Sequence, residues 1–228
     1  MEESPSVHFS VFQDGDAVAA AAGRFILNAA DITLKAEGRF RCVLAGGRTP
    51  LSTYRWLARH RTHWQDWQLY LGDERCLPPQ DPQRNSQMIG AAWLHEAAGA
   101  TFFPIPAELG PAEAVARYET QIAQALPFDL VILGMGEDGH TASLFPGHPW
   151  EEDRLVVPVY QAPKPPSERV SLSLKALRQS HQLLVLITGA GKRNALQAWQ
   201  QGVDVPIARV VRDRPTWVFL DEAAAGSP

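Results

Sequence analysis

The stretch Phe128–Gly147, FDLVILGMGEDGHTASLFPG, decides how this chain is read. Its first half is almost unbroken apolar sequence, which predicts a strand buried on both faces. Gly134, Gly136 and Gly139 follow at GxGxxG spacing, as in a dinucleotide-binding turn. That fingerprint also needs its third glycine to open a long helix and an acidic residue to close the next strand about twenty residues on. Pro146 and Pro149 allow only about two helical turns, and the next strand-like run, LVVPVY, ends without an acid. The dinucleotide reading fails. The loop instead delivers Asp138 and His140 to the start of a short helix, with Thr141 and Ser143 close by. An imidazole with an ordinary pKa of about 6.5 suits proton transfer near neutrality. His140 is therefore the candidate general base and Asp138 its partner. A lone loop histidine is often only structural, but the glycines round it and the strand behind it favour chemistry. No GxSxG is present, so Ser143 reads as a helix residue rather than a nucleophile.

Outward from this stretch the chain alternates β-rich runs with helical ones. VHFSVF reads as a strand, and Asp14–Glu37 as a long helix capped by Asp14 and stopped by Gly38. FRCVLAGG reads as a buried strand, and TPLSTYRWLARHR as a helix with Thr49 as cap and Pro50 at its first position. QLYLGDER is a strand with its exit loop, while NSQMIGAAWLHEAAG and PAEAVARYETQIAQAL are helices. LVVPVY, RVSLSL, QLLVLITG and TWVFL complete the strands, with the helix KRNALQAWQQ before the last. Apolar strands alternating with helices predict an α/β fold, a mostly parallel sheet covered on both faces, in one domain spanning residues 1–228. The proline-rich QAPKPPSE suits a surface loop better than a boundary.

In such folds ligands bind at the carboxyl ends of strands, where this chain places its unusual sequences. In AGGRTP, Gly46 and Gly47 let backbone approach a ligand, and the helix that follows points free N–H groups at it, a geometry suited to phosphate. An ordinary βα turn would use the same residues. In TGAGKRN, Lys192 opens a helix after two glycines, but Arg193 stands where a Walker loop has Ser or Thr, so a nucleotide triphosphate with magnesium is not supported. Lys192 could hold a single phosphate, and Arg169 could add a bidentate clamp. GDERCLPPQDPQRNS packs Asp73, Glu74, Arg75, Asp81 and Asn85 into another strand exit, where a solvated loop is the plain alternative.

Composition bounds the partners. A net charge of −4 over 228 residues gives no long-range attraction for nucleic acid or anionic membrane. No run of eighteen apolar residues and no basic-apolar leader occurs, so a cytoplasmic protein is expected. Cys42 and Cys76, the only cysteines, form neither a disulfide framework nor a thiolate cluster. His60 and His63 have HxxH spacing without an acid between them, and His140 with His148 is no better a zinc pair, so no metal is expected.

Taken together, AGGRTP, GDERCLPPQDPQRNS, GMGEDGHTASLFPG, PPSERVSLS and TGAGKRN resemble the 6-phosphogluconolactonase family, in order and spacing, from about Val11 to Phe219. The resemblance implies a Rossmann-like three-layer α/β/α sandwich shared with glucosamine-6-phosphate deaminases, without nucleotide, metal or other cofactor. It implies hydrolysis of 6-phospho-D-glucono-1,5-lactone to 6-phospho-D-gluconate, with a small-molecule sugar phosphate as partner; separately, a monomer is expected rather than a stable oligomer. By motif, His140 would be the base, Asp138 its partner, and Arg75 the group over the ring or oxyanion. Gly46, Gly47, Arg48, Thr49, Arg169 and Lys192 would form the phosphate end, with Asp73 as a further substrate contact. The family's first motif often begins with Ser where this chain has Ala45, which leaves backbone amides to supply that contact. Isomerases and deaminases of this group carry an acid after the DGH, where this chain reads TASLFP. The missing acid favours hydrolysis.

Overall fold

The computed structural model describes residues 6–60, 63–149 and 153–226, so Arg61, the expected end of the second helix, lies outside the described residues. The chain starts at edge strand β1 (Val7–Phe12) and crosses by helix α1 (Gly15–Glu37) to β2 (Phe40–Leu44). Helix α2 (Arg48–Leu57) leads on to β3 (Trp67–Leu71), which continues into the short β4 (Asp73–Arg75). Helix α3 (Asn85–Ile89) and a π-helical turn over Gly90–Leu94 precede the far edge strand β5 (Thr101–Phe103). The path then turns back through α4 (Pro111–Ala125) to β6 (Phe128–Gly134). After β7 (Val156–Val159), β8 (Arg169–Leu172) and α5 (Leu174–Arg178) come β9 (Ser180–Ile187), α6 (Arg193–Gln200), α7 (Pro206–Val211), β10 (Thr216–Asp221) and α8 (Glu222–Ala225).

Seven strands form one parallel sheet in the order β1-β10-β9-β6-β2-β3-β5. Right-handed crossovers dictate the layers. The outward steps from β1 to β5 put α1, α2 and α3 on one face, and the return steps put the later helices on the other. The result is the expected three-layer sandwich. β2 and β6 are neighbours whose chains leave to opposite faces, so a crevice must open between their carboxyl ends.

Asp14 caps α1 by accepting from the Ala17 amide at 2.9 Å, and Gly38 ends it at φ 70°, as its sequence predicts. By length and hydropathy α1 could cross a bilayer, but its Val18, Ala22 and Ile26 side is buried against the sheet. Tryptophan use also finds its reason: Trp64, Trp67 and Trp93 pack edge to face beside Phe40 and Tyr54 under β3. Several boundaries move. α2 begins at Arg48 with Gly47 as its cap, so Thr49 lies inside the first turn. The long helix expected from Asn85 breaks at Gly90 into the π turn. β8 stops at Leu172 because Ser173 turns out to cap α5, accepting from the Ala176 amide at 3.1 Å. LVVPVY and RVSLSL, expected in the parallel sheet, instead form a separate antiparallel sheet, β4-β8-β7, that stands over the crevice.

Candidate active site

The crevice between β2 and β6 holds a cavity of about 530 Å³. Gly46, Gly47, Arg48, Thr49, Asp73, Arg75, His140, Arg169 and Lys192 all line it. Asp138 stands just behind, its Oδ1 2.5 Å from His140 Nδ1. Five segments distant in sequence therefore meet at one place.

The loop after β6 is wound tightly enough to fix the imidazole. Gly136 N donates to His140 O at 2.7 Å, Gly139 N to Gly136 O at 3.1 Å, and Thr141 Oγ1 to Gly134 O at 2.8 Å. A Cβ on Gly136 would sit 2.0 Å from His140 Nδ1 and 2.6 Å from Asp138 Oδ1, so only glycine admits the pair. Burial opposes ionisation of Asp138, but its hydrogen bond and charge interaction with His140 outweigh this and hold the carboxyl below its ordinary pKa. An ionised carboxylate only accepts, so Nδ1 carries the proton and Nε2 keeps the lone pair. Burial also pushes His140 below its ordinary pKa, with Lys164 acting the same way and Asp138 and Asp73 opposing. The result is a neutral imidazole with a basic Nε2.

The short helix expected after His140 does not form. Thr141 and Leu144 close a turn instead, because Ser143 is drawn away at both ends. Its amide donates to Ser171 Oγ at 3.2 Å and its hydroxyl to Asp73 Oδ2 at 2.7 Å. Asn85 Nδ2 binds the other oxygen of Asp73 at 3.0 Å, and Asn85 Oδ1 is packed where a Cβ on Gly46 would be. The sequence named Asn85 only as one polar residue of the GDER exit and read Ser143 as a helix residue, and gave neither a place in the site. Glu74 is fully buried and accepts the amides of Arg75, Asn85 and Ser86 at 2.7–2.9 Å. The GDER segment is thus built structure and not a solvated loop.

Arg75 and Arg169 face each other directly across the β4–β8 ladder. Like charges in that register are destabilising on their own, so the pair favours an anion. Arg169 departs from the free bidentate clamp its sequence suggested. Its Nε donates to Pro166 O at 3.1 Å and its Nη2 to Lys164 O at 2.9 Å and Pro165 O at 3.2 Å, which leaves Nη1 for a ligand. Phe145 lies between Arg169, 5.5 Å above its ring, and His140, 4.7 Å from it.

On the other side of the cavity, the amide and carbonyl of Ala45 are both bound by Tyr54 Oη at 2.9 Å, so the Ala45 amide is not the substitute for a serine hydroxyl. The first-turn amides of α2 remain to receive an anion. Thr49 Oγ1 lies 2.6 Å from Thr188 Oγ1 and joins this helix start to the exit of β9. There Asp221 accepts the Gly189 amide at 3.0 Å on both oxygens and fixes the 3₁₀ turn Ala190–Lys192. Lys192 belongs to that turn, one residue ahead of α6. Burial lowers its pKa, Lys164 and Arg48 add to the effect, and Glu137 and Asp138 oppose it.

One cluster with metal-ligand spacing occurs among the described residues, Glu37, Asp129 and His181, at the opposite, amino ends of the strands. Arg41 already bridges its carboxylates, 2.8 Å from Glu37 and 3.1 Å from Asp129, so a cation is in place without a metal.

Comparison with known proteins gives the family. Residues 13–219 match the family described as glucosamine-6-phosphate isomerases/6-phosphogluconolactonase. The 6-phosphogluconolactonase of Mycobacterium tuberculosis is 34% identical over 98% of this chain and 99% of its own length. The crystal structure of 6-phosphogluconolactonase from Thermotoga maritima has a TM-score of 0.87 at 31% identity, covering 95% of this chain and 99% of that one. The Trypanosoma brucei 6-phosphogluconolactonase structure has a TM-score of 0.86 at 27% identity, covering 98% and 99%. With its motifs converging on one crevice and its length matched almost throughout, the chain belongs to the 6-phosphogluconolactonase family, within the wider group of glucosamine-6-phosphate isomerases and 6-phosphogluconolactonases.

Proposed function

We propose that this enzyme hydrolyses 6-phospho-D-glucono-1,5-lactone to 6-phospho-D-gluconate, the second step of the oxidative pentose phosphate pathway, using a water activated by His140. The observation that carries the reading is the His140 imidazole, hydrogen-bonded to the Asp138 carboxylate, sharing one cavity with separated cationic groups. The substrate phosphate lies against the α2 amides, Arg48 and Lys192, with Arg169 Nη1 reaching in from β8. Its charge of about −1.5 to −2 is a strong handle, and it holds the lactone carbonyl beside His140.

Nε2 takes a proton from water as the oxygen attacks the carbonyl carbon. The imidazolium that forms is stabilised by Asp138, and Arg75 faces the oxyanion. Collapse of the tetrahedral intermediate breaks the bond to the ring oxygen, which receives the proton back from His140. A lactone is an activated ester, so a base contributing about 10² to 10⁴ in rate, added to positioning by the phosphate, is enough without a covalent intermediate. The test is a coupled assay on freshly generated lactone, corrected for spontaneous hydrolysis, with glucosamine 6-phosphate offered in parallel. Lactone hydrolysis that disappears in His140→Ala is the expected result. Ammonia release from the amino sugar, with no effect on the lactone, would overturn it.

A further inference from the structure

We propose that Lys164, on the proline-stiffened loop Gln161–Glu168, is a further substrate-binding residue that holds the anionic reacting end of the ligand beside His140, and that Arg169 is the clasp positioning it. The proposal rests on the lactonase reading for the identity of that end. Arg169 is only 5% exposed, lines the cavity, and grips three successive carbonyls, those of Lys164, Pro165 and Pro166. The Ala162 amide donates to Ser167 O at 2.8 Å and closes the base of the same loop. Pro163, Pro165 and Pro166 restrict the backbone on both sides of Lys164. A loop held this firmly carries its one lysine next to Arg169, a residue of the cavity wall.

The Lys164 ammonium makes no ion pair or hydrogen bond among the described residues, yet its charge acts on both His140 and Lys192. The charged groups acting on His140 are Asp138 on its own loop, Asp73 on β4 and Lys164, while Arg75, Arg169 and Lys192 line the same cavity. An unpaired cation whose charge is felt by other cations is unfavourable until an anion arrives among them. In the proposed function the phosphate is accounted for by the α2 amides, Arg48, Lys192 and Arg169 Nη1. The charge left for Lys164 is the one that develops on the carbonyl and persists as the product carboxylate.

Lys164→Met and Lys164→Arg test this, since the side chain is exposed and its loss leaves the clasp intact. In the free protein, an NMR titration of the His140 ring should move to higher pH in the Met variant and stay in place in the Arg variant. Calorimetry should show 6-phosphogluconate binding about tenfold more weakly to the Met variant, with inorganic phosphate nearly unaffected and the Arg variant restored. Either an unmoved His140 titration or an unchanged affinity for 6-phosphogluconate in the Met variant overturns the proposal. The titration needs no ligand, so failure of the wild-type protein to hydrolyse lactone would sink the lactonase reading and leave this comparison standing.

Discussion

In the proposed mechanism, removing the His140 imidazole deletes the base without touching the phosphate contacts. His140→Ala should therefore lower kcat by about 10² to 10⁴ and leave KM close to that of the parent. Lys192→Ala should do the reverse, raising KM with little change in kcat, because a phosphate contact persists in both ground and transition states. The pH profile carries a sign. The base works unprotonated and its pKa lies below the ordinary value, so the acid limb of kcat/KM should fall below about pH 6.5 and not above it. An acid limb centred above pH 7 would contradict the burial of this imidazole. Gly136 is the quieter test at this scale. Gly136→Ala places a methyl carbon inside the His140–Asp138 contact, and the expected result is loss of most activity with the fold retained by circular dichroism. The glycine spacing was legible in the sequence, whereas this reason for it was not, since it depends on which way the imidazole folds back over the loop.

At the scale of elements, loops are tied to one another by side chains that hydrogen-bond to protein groups distant in sequence. Asp221 ends β10, caps α8 through the Ala224 amide at 2.8 Å, and holds Gly189, so one carboxylate fixes the turn that presents Lys192. Asp221→Ala should raise KM several-fold with kcat nearly kept, and should cost about 1–3 kcal/mol for the amides left unsatisfied; steady-state kinetics and thermal melts measure the two effects separately. A fall in kcat at constant KM would mean that the turn serves the chemistry instead. These ties explain what the sequence left unread. Asn85, Ser143 and Asp221 are ordinary residues in ordinary contexts, and only pairing across long separations gives them a task. The small sheet was missed for a related reason: β4 has three residues, all polar, and periodicity has nothing to act on there. The central strands were legible because burial on both faces leaves apolar runs that no exposed segment shares.

Over the whole molecule, the parallel sheet separates chemistry from stability along one direction. The carboxyl ends of β2, β6 and β9 carry the site, while their amino ends carry the buried pair of Arg41 and Asp129, 7% and 4% exposed. Asp129 accepts the Arg41 amide at 2.6 Å and its guanidinium at 3.1 Å through both oxygens, which locks β2 to β6 at the start of the two strands whose far ends open the crevice. Burial opposes the Arg41 charge, and Asp129 and Glu37 more than restore it. Asp129→Ala leaves that guanidinium buried with Glu37 as its one remaining carboxylate, itself partly exposed. Breaking such a pair costs about 3–5 kcal/mol, and the retained contact with Glu37 puts the expected loss near the lower end, a fall in Tm of roughly 6–12 °C for a chain of this length. Because the opposite end of the sheet keeps every contact described for the cavity, kcat/KM at 25 °C should stay within about twofold of the parent. Loss of activity at 25 °C with an unchanged Tm would show that the amino ends of the strands are coupled to the site, and that the sheet does not divide the two tasks in this way.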